Sequence, residues 1–216
     1  MRRRFAVAVF LALVAVLGSA YAERDWEYWS QEAYSVPLNN TVNYIVTTEW
    51  RFNQDMERDY LFKVETGPSF RINEYLELAP YYVYQEKQSR SGWDRSDLMY
   101  FDTTVNFRLK GLFNAKMSNR FRYQYDFDKV KTVLRNTLKL SKGFNIGKCQ
   151  LTPYLSEEPF YDCKVNTITE HRTTAGISCS FTKNLSFGLG YMLNSKKGAS
   201  KWSYSNVLVS NLNIKF

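Results

Sequence analysis

Apolar and polar side chains alternate with a period of two along most of the sequence, and this pattern restricts the chain to β-structure. In residues 97–110, Met99 and Phe101 share one face of an extended strand, whereas Asp102 and Arg108 lie on the other face. The same pattern recurs in segments of about ten residues, the length of a strand that crosses a membrane. We therefore expect an all-β protein whose strands each present one apolar and one polar face.

Turn-forming residues divide the alternating segments into strands. By inspection the expected strands are residues 26–36, 42–53, 58–70, 75–87, 97–110, 116–127, 132–140, 149–158, 169–181, 185–194 and 201–216. A closed bacterial barrel usually has an even number of strands, so we expect ten or twelve, with one strand near the N-terminus merged or split. Short turns at one end of the barrel should alternate with modest loops at the other, among them 88–96.

The first 22 residues have the pattern of a secretory signal peptide. Three arginines at positions 2–4 precede an apolar run over 6–17, and residues 18–22 end in a small-x-small cleavage pattern. This apolar run is shorter than the roughly 20 residues that a membrane-spanning helix needs, which favours cleavage over a membrane anchor. We expect residues 1–22 to be a cleavable signal peptide and residues 23–216 to form one β-barrel domain.

The segment 202–216 suggests that these strands cross a membrane. It continues as a period-two strand to Phe216 and carries the aromatic pair Trp202 and Tyr204 at its other end, which suits a strand that crosses a bilayer between two aromatic girdles. Asn206 and Ser210 interrupt its apolar face, so we expect this strand to be shielded, bulged or shifted in register.

Secretion and two-faced strands together predict an antiparallel up-and-down transmembrane β-barrel of about ten to twelve strands in the bacterial outer membrane. A closed barrel leaves no backbone edge unpaired in hydrocarbon, so lipid should lie outside and water inside. The expected partners are outer-membrane lipid and lipopolysaccharide. The alternative is a secreted or periplasmic β-sandwich or lipocalin-like barrel, since soluble antiparallel sheets also alternate.

If the polar faces point inward, charged side chains line the lumen. The candidate pore-lining residues are Arg108, Arg120, Arg122, Arg135, Lys139, Arg172, Glu49 and Glu65. A basic wall favours anionic solutes, which predicts a small, porin-like pore. The same charges could instead pair across a narrow lumen and fill it, which predicts a closed structural or adhesive barrel whose outer loops, such as 88–96 with Trp93, bind partners. Both interpretations stay open.

Enzymatic chemistry would depend on one histidine. His171 is the single histidine of the chain, and its same-face neighbour is Thr173 rather than a serine. The sequence contains no Gly-x-Ser-x-Gly, His-Glu-x-x-His or phosphate-loop motif. We therefore predict a non-enzymatic protein without catalytic residues, metal site or cofactor; an outer-membrane lipid-modifying enzyme is the alternative that would require His171.

Cysteine and charge add two further expectations. Cys149, Cys163 and Cys179 allow at most one disulfide, and the sequence leaves open which two, if any, are bonded; their spacing matches no zinc site. The net charge of +8 could favour nucleic acid, but a secreted surface protein has little access to it, so lipopolysaccharide phosphate is the expected anionic neighbour. The sequence leaves the oligomeric state open.

A series of spaced motifs resembles a family of bacterial outer-membrane β-barrel proteins of unknown function. The motifs are Trp26-x-Tyr28-Trp29, Glu49-Trp50-Arg51-Phe52, Ala79-Pro80-Tyr81-Tyr82, Ser156-Glu157-Glu158-Pro159-Phe160-Tyr161, Arg172 with Gly176, and Gly190-Tyr191-Met192. This resemblance implies a barrel in the outer membrane and no particular reaction. The chain is also loosely similar to small solute-specific porins, and its C-terminal segment resembles the signature that barrel-insertion machinery recognises, which implies recognition through Phe216.

Overall fold

A computed structural model describes residues 25–89, 91–109, 115–127, 131–147, 149–198 and 201–216. These ranges form the strands β1 (Trp26–Pro37), β2 (Val42–Asn53), β3 (Arg58–Arg71), β4 (Leu76–Ser89), β5 (Gly92–Leu109), β6 (Ala115–Asp126), β7 (Lys131–Ser141), β8 (Phe144–Ile146), β9 (Cys149–Asp162), β10 (Thr167–Ser180), β11 (Leu185–Lys197) and β12 (Trp202–Lys215). The predicted signal peptide lies outside the described residues. None of the described residues forms a helix long and apolar enough to cross a membrane.

Eleven of the twelve strands close one barrel. Strands β1 to β6 each pair with the next strand, β7 pairs with β9, the series continues to β12, and β12 pairs with β1. The three-residue strand β8 pairs only with β9. The prediction of an all-β barrel of about ten to twelve strands is confirmed, whereas the expected even number is wrong.

An odd strand count determines how the barrel closes. In an up-and-down barrel successive strands run in opposite directions, so the first and the eleventh run in the same direction. Accordingly β1 and β12 pair in parallel, from Trp26 opposite Asn206 to Ser35 opposite Lys215. The other neighbouring pairs of the barrel are antiparallel. The barrel is therefore mixed rather than wholly antiparallel.

Short turns at one end of the barrel owe their shape to local side-chain hydrogen bonds. We call this the turn end; it holds the connections 38–41, 72–75 and 181–184. The Asn39 and Asn73 side chains each accept backbone N–H groups two and three residues further on, and the Thr182 hydroxyl does the same. Such Asx and hydroxyl turns are the reason that these residues mark strand ends in the sequence.

The opposite end, which we call the loop end, holds the connections 54–57 and 163–166. Connections at the turn end and at the loop end alternate along the chain, as predicted. The predicted loop 88–96 is wrong, because β4 continues to Ser89 and β5 begins at Gly92, with Trp93 already paired to Gln88. Gly92 has a φ of 129°, a conformation open to glycine that lets the strands form a tight hairpin here.

The outside of the barrel exposes many apolar side chains, whereas its inside holds most of the buried charge beside two apolar clusters. Large apolar side chains are exposed on the outside, including Tyr44, Trp50, Phe70, Tyr82, Met99, Phe101, Val105, Phe121, Leu138, Leu155, Ile177, Leu189 and Leu208. Charged side chains are buried on the inside, including Glu49, Lys63, Glu65, Asp102, Arg122, Glu158 and Arg172. The outward face is thus predominantly apolar and the inward face holds the buried charge.

Aromatic rings placed over glycines fill part of the interior. A Cβ atom at Gly176 would lie 2.6 Å from the Tyr154 ring, and one at Gly190 would lie 2.8 Å from the Tyr154 hydroxyl. A Cβ at Gly67 would lie 2.2 Å from the Pro80 carbonyl oxygen and 3.1 Å from the Tyr81 ring. Glycine is therefore required at these inward positions because a neighbouring strand or ring occupies the space of its side chain.

The two polar interruptions in β12 are shielded. The Tyr191 hydroxyl donates to Asn206 Oδ1 at 2.8 Å, and the Tyr28 hydroxyl lies 2.7 Å from Ser210 Oγ. Asn206 is 1% exposed and Ser210 is 7% exposed. No register shift occurs in the pairing of β12 with β1 or β11. Of the three outcomes considered for this strand, shielding by tyrosine is therefore the one observed.

Candidate functional site

A network of paired charges spans the barrel interior, and we call it the charge belt. Its members lie on β2, β3, β5, β6, β7, β9 and β10 and share the inward face of those strands. They are Glu49, Arg51, Lys63, Glu65, Asp102, Arg120, Arg122, Arg135, Glu158, Glu170 and Arg172.

Strand register places opposite charges beside each other in this belt. Glu49 faces Lys63 across β2 and β3, Asp102 faces Arg122 across β5 and β6, and Glu158 faces Arg172 across β9 and β10. The Lys63 Nζ atom lies 2.6 Å from Glu49 Oε2. Directly opposed unlike charges stabilise a strand pair. These three charge pairs therefore favour the observed register of their strands.

Arg122 joins two walls of the barrel. Its Nη2 atom donates to Asp102 Oδ2 on the adjacent strand at 2.6 Å and to Glu65 Oε1 at 2.7 Å, and its Nη1 donates to Glu65 Oε2 at 3.0 Å. Glu65 lies on β3, three strands away from β6. The guanidinium group is 4.5 Å from the Tyr100 ring centroid. A side chain only 3% exposed therefore binds two carboxylates across the interior.

Glu158 collects several donors on the opposite wall. Its carboxylate accepts hydrogen bonds from Arg135 Nη2 at 2.7 Å and from Arg172 Nη1 at 3.3 Å, and Arg120 Nη2 lies 3.8 Å away. The Thr137 hydroxyl also donates to it at 2.7 Å. Three guanidinium groups and a hydroxyl thus surround one buried carboxylate.

Trp29 connects the two halves of the charge belt. The Arg51 guanidinium lies 3.6 Å from the ring centroid of Trp29 and that of Arg172 lies 4.7 Å away. The indole N–H donates to Glu27 Oε2 at 2.8 Å, and the Tyr60 hydroxyl donates to the same atom at 2.6 Å. Cation–π stacking on a ring that is itself hydrogen-bonded fixes β2, β10 and β1 relative to one another.

Six of the eight predicted pore-lining residues lie in the charge belt: Arg120, Arg122, Arg135, Arg172, Glu49 and Glu65. Their charges are engaged by other belt residues rather than directed into open water. The other two, Arg108 and Lys139, lie nearer the turn end and are exposed. The predicted list omitted the stacking role of Trp29, because strand alternation assigns a face but does not show which rings meet across a barrel.

His171 lies on the outward face, apart from the charge belt. Its Nε2 atom is 3.1 Å from Glu157 Oε2, and the Thr173 hydroxyl donates to the same oxygen at 3.0 Å. A carboxylate that orients a histidine is part of a nucleophilic triad. Here, however, the nearby hydroxyl donates to the carboxylate, so these three residues do not place a nucleophile against the imidazole.

A disulfide joins β9 and β10 near the turn end. Cys149 is bonded to Cys179 with their Cα atoms 6.0 Å apart, and Cys163 is a free, exposed thiol in the connection 163–166. The pairing that the sequence left open is thus between Cys149 and Cys179. The described residues contain no group of three or more histidine, cysteine or acidic side chains arranged to hold a metal ion.

Comparison with protein families gives one match. The model of a family described as a protein of unknown function, DUF2490, matches residues 26–205, which extend from the start of β1 into β12. A search among curated proteins finds no match. The match covers most of the chain and includes every strand that contributes to the charge belt.

Proposed function

We propose that this chain, which belongs to the DUF2490 family of proteins of unknown function, spans the bacterial outer membrane as a closed, non-enzymatic β-barrel. The observation that carries this proposal is the burial pattern, with large apolar side chains exposed outside and paired charges buried inside. A soluble monomer usually shows contiguous apolar patches of only a few hundred Å², whereas here large apolar side chains are exposed on every barrel strand. In a bilayer the same surface contacts lipid.

Strand dimensions and residue placement support a membrane position. Every barrel strand has at least 11 residues, and about 9–11 are enough to cross a bilayer when tilted. Several polar outward residues are paired with each other, as for Asn119 with Asn136 at 2.7 Å. The signal-peptide pattern of residues 1–22 supports export. Outer-membrane lipid and lipopolysaccharide are the partners proposed for the apolar face.

The charge belt supports a sealed interior rather than a passage for anions. A pore that selects anions needs cations whose charge is available to the solute. Arg122, Arg135 and Arg172 instead each bind a carboxylate directly and are packed against aromatic rings. Moving ions through this layer would require breaking several buried pairs at once, each of which costs about 3–5 kcal/mol when one partner is lost. We propose a structural role for the belt as the seal.

Lipid contact can be measured by tryptophan quenching. One variant retains only Trp50, which is 39% exposed on the outside, and a matched variant retains only Trp29, which is 5% exposed on the inside. In vesicles of brominated lipid we expect strong quenching of Trp50 and little quenching of Trp29. Equal quenching of both residues, or recovery of the protein in the soluble periplasmic fraction of fractionated cells, would contradict the proposal.

A further inference from the structure

A cluster of cations without a described ion-pair partner lies on the inward face of the barrel wall at the turn end. We call it the basic vestibule; it consists of Arg108 on β5, Lys116 on β6 and Lys139 on β7. Arg108 shares the inward face of β5 with Asp102, and Lys116 shares that of β6 with Arg122. All three side chains are exposed, whereas the belt residues above them are largely buried.

Strand register brings the three cations together. Arg108 is directly opposite Lys116 in the pairing of β5 with β6. Lys116 is opposite Ser141 on β7, two residues from Lys139, which makes Lys139 its diagonal neighbour. Directly opposed residues have Cβ atoms about 4.5–5.5 Å apart, and diagonal ones about 7–8 Å. Three positive charges therefore occupy one small area of the wall.

The charge belt also contains directly opposed cations, Arg122 and Arg135, but there each arginine pairs with a carboxylate. No described carboxylate lies within 4 Å of Arg108, Lys116 or Lys139. Like charges placed directly opposite destabilise a strand pair. The repulsion between Arg108 and Lys116 is therefore not offset by a described carboxylate, unlike that between the belt arginines.

The surroundings of the basic vestibule are neutral and polar. Ser118 is opposite Lys139 on one side and Ser156 on the other. The Lys139 Nζ atom lies 4.1 Å from the Tyr154 ring centroid. Among the described inward residues near the turn end, the acidic one is Glu77. Its carboxylate already accepts a hydrogen bond from the Ser69 hydroxyl at 2.7 Å. Hydroxyl donors beside free cations suit an anion with several acceptor oxygens.

We propose that the basic vestibule binds the phosphate groups of a small phosphorylated molecule that enters from the turn end and stops at the charge belt. The closure of this site at the charge belt depends on the proposed sealed lumen, whereas the affinity for phosphate depends only on the three cations. A diphosphate fits the cluster best, since two adjacent phosphate groups can contact the opposed pair Arg108 and Lys116 together with Lys139.

The test is isothermal titration of the detergent-folded full barrel with inorganic pyrophosphate. The Lys116→Gln variant should bind about tenfold more weakly, because it loses one charge-assisted contact. A matched control, Lys131→Gln, removes a lysine at the loop end that is paired with Asp162 and should leave binding unchanged. Absence of binding by the folded wild-type barrel, or equal affinity of the wild type and Lys116→Gln, would overturn the proposal.

A second measurement separates ligand binding from a structural role. Without ligand, Lys116→Gln should unfold at a higher urea concentration than the wild type, because it removes the repulsion from Arg108. A residue that served only the fold would instead lower that midpoint when replaced. A short-chain phosphatidylglycerol that competes with pyrophosphate would identify a lipid headgroup as the source of the phosphate, and failure to compete would identify a free solute. An open lumen would appear as ion conductance and leave this titration unaffected.

Discussion

Arg122 shows at the scale of one residue why the barrel interior tolerates so much charge. Its guanidinium group donates to carboxylates on two different walls, and its faces lie against aromatic rings. Each donor that loses water on burial therefore regains a charged acceptor. Removing the cation leaves Glu65 and Asp102 buried without their main partner.

We predict that Arg122→Met destabilises the folded barrel by about 3–5 kcal/mol, the typical cost of stranding one half of a buried ion pair. Urea unfolding in detergent, followed by tryptophan fluorescence, measures this change. Arg95→Met is the matched control, because Arg95 forms an exposed pair with Asp97 near the loop end. A similar loss of stability in both variants would show that the buried pairs of the charge belt contribute no more stability than an exposed surface pair.

Glycine at position 176 is required for a different reason. The Tyr154 ring occupies the space of its missing side chain, so Gly176→Val should displace the ring and lower stability by about 1–3 kcal/mol, as overpacking does. Gly188→Ala is the control, since a Cβ there would meet its nearest neighbour at 3.4 Å. Chemical unfolding of the two variants should separate them, and equal midpoints would contradict this packing.

At the scale of the element, β12 joins the barrel through polar groups that its neighbours shield. Asn206 and Ser210 lie on the outward face, where the Tyr191 and Tyr28 hydroxyls bind them. The tyrosines present apolar rings outward while satisfying a polar atom beneath, as amphipathic side chains do. The parallel seam between β1 and β12 is thus closed on its outer side.

A double-mutant cycle on β11 and β12 tests this shielding. Tyr191→Phe should cost about 1–3 kcal/mol because it leaves a buried amide oxygen without its donor. Adding Asn206→Leu to Tyr191→Phe should recover most of that loss, since both polar partners are then apolar. Unfolding midpoints of the two single variants and the double variant give the coupling, and simple additivity would indicate that the two side chains do not interact.

The disulfide between β9 and β10 predicts a labelling pattern. Under non-reducing, denaturing conditions Cys163 should react with a maleimide while Cys149 and Cys179 stay unlabelled. After reduction all three should react, and mass spectrometry counts the labels. Three labels without reductant would show that the two strands are not linked.

At the scale of the whole molecule, period-two alternation was enough to predict most strands and their faces. It assigned Asp102, Arg122 and Glu65 to the interior, since a slip by one residue would have moved apolar side chains inward. It could not predict the parallel closure of β1 and β12, because that depends on an odd strand count and the usual barrel has an even one.

Contacts across the lumen were also beyond the sequence. Glu65 and Arg122 lie 57 residues apart and meet only because the barrel closes with a particular curvature and stagger. The stacking of Arg51 and Arg172 near Trp29 depends on the same closure. The sequence also did not reveal the basic vestibule as a separate cluster. Strand alternation assigns Arg108 and Lys139 to the same inward face as the belt residues and does not show which of these charges are paired.

Single-channel conductance in planar bilayers tests the sealed, membrane-spanning barrel most directly. The folded protein, with insertion verified by resistance to added protease, should produce no discrete current steps, because in the proposed barrel the paired side chains of the charge belt seal the lumen. Stable, ohmic steps from the wild-type barrel would contradict the seal and return Arg120, Arg122 and Arg135 to the lining of an open pore.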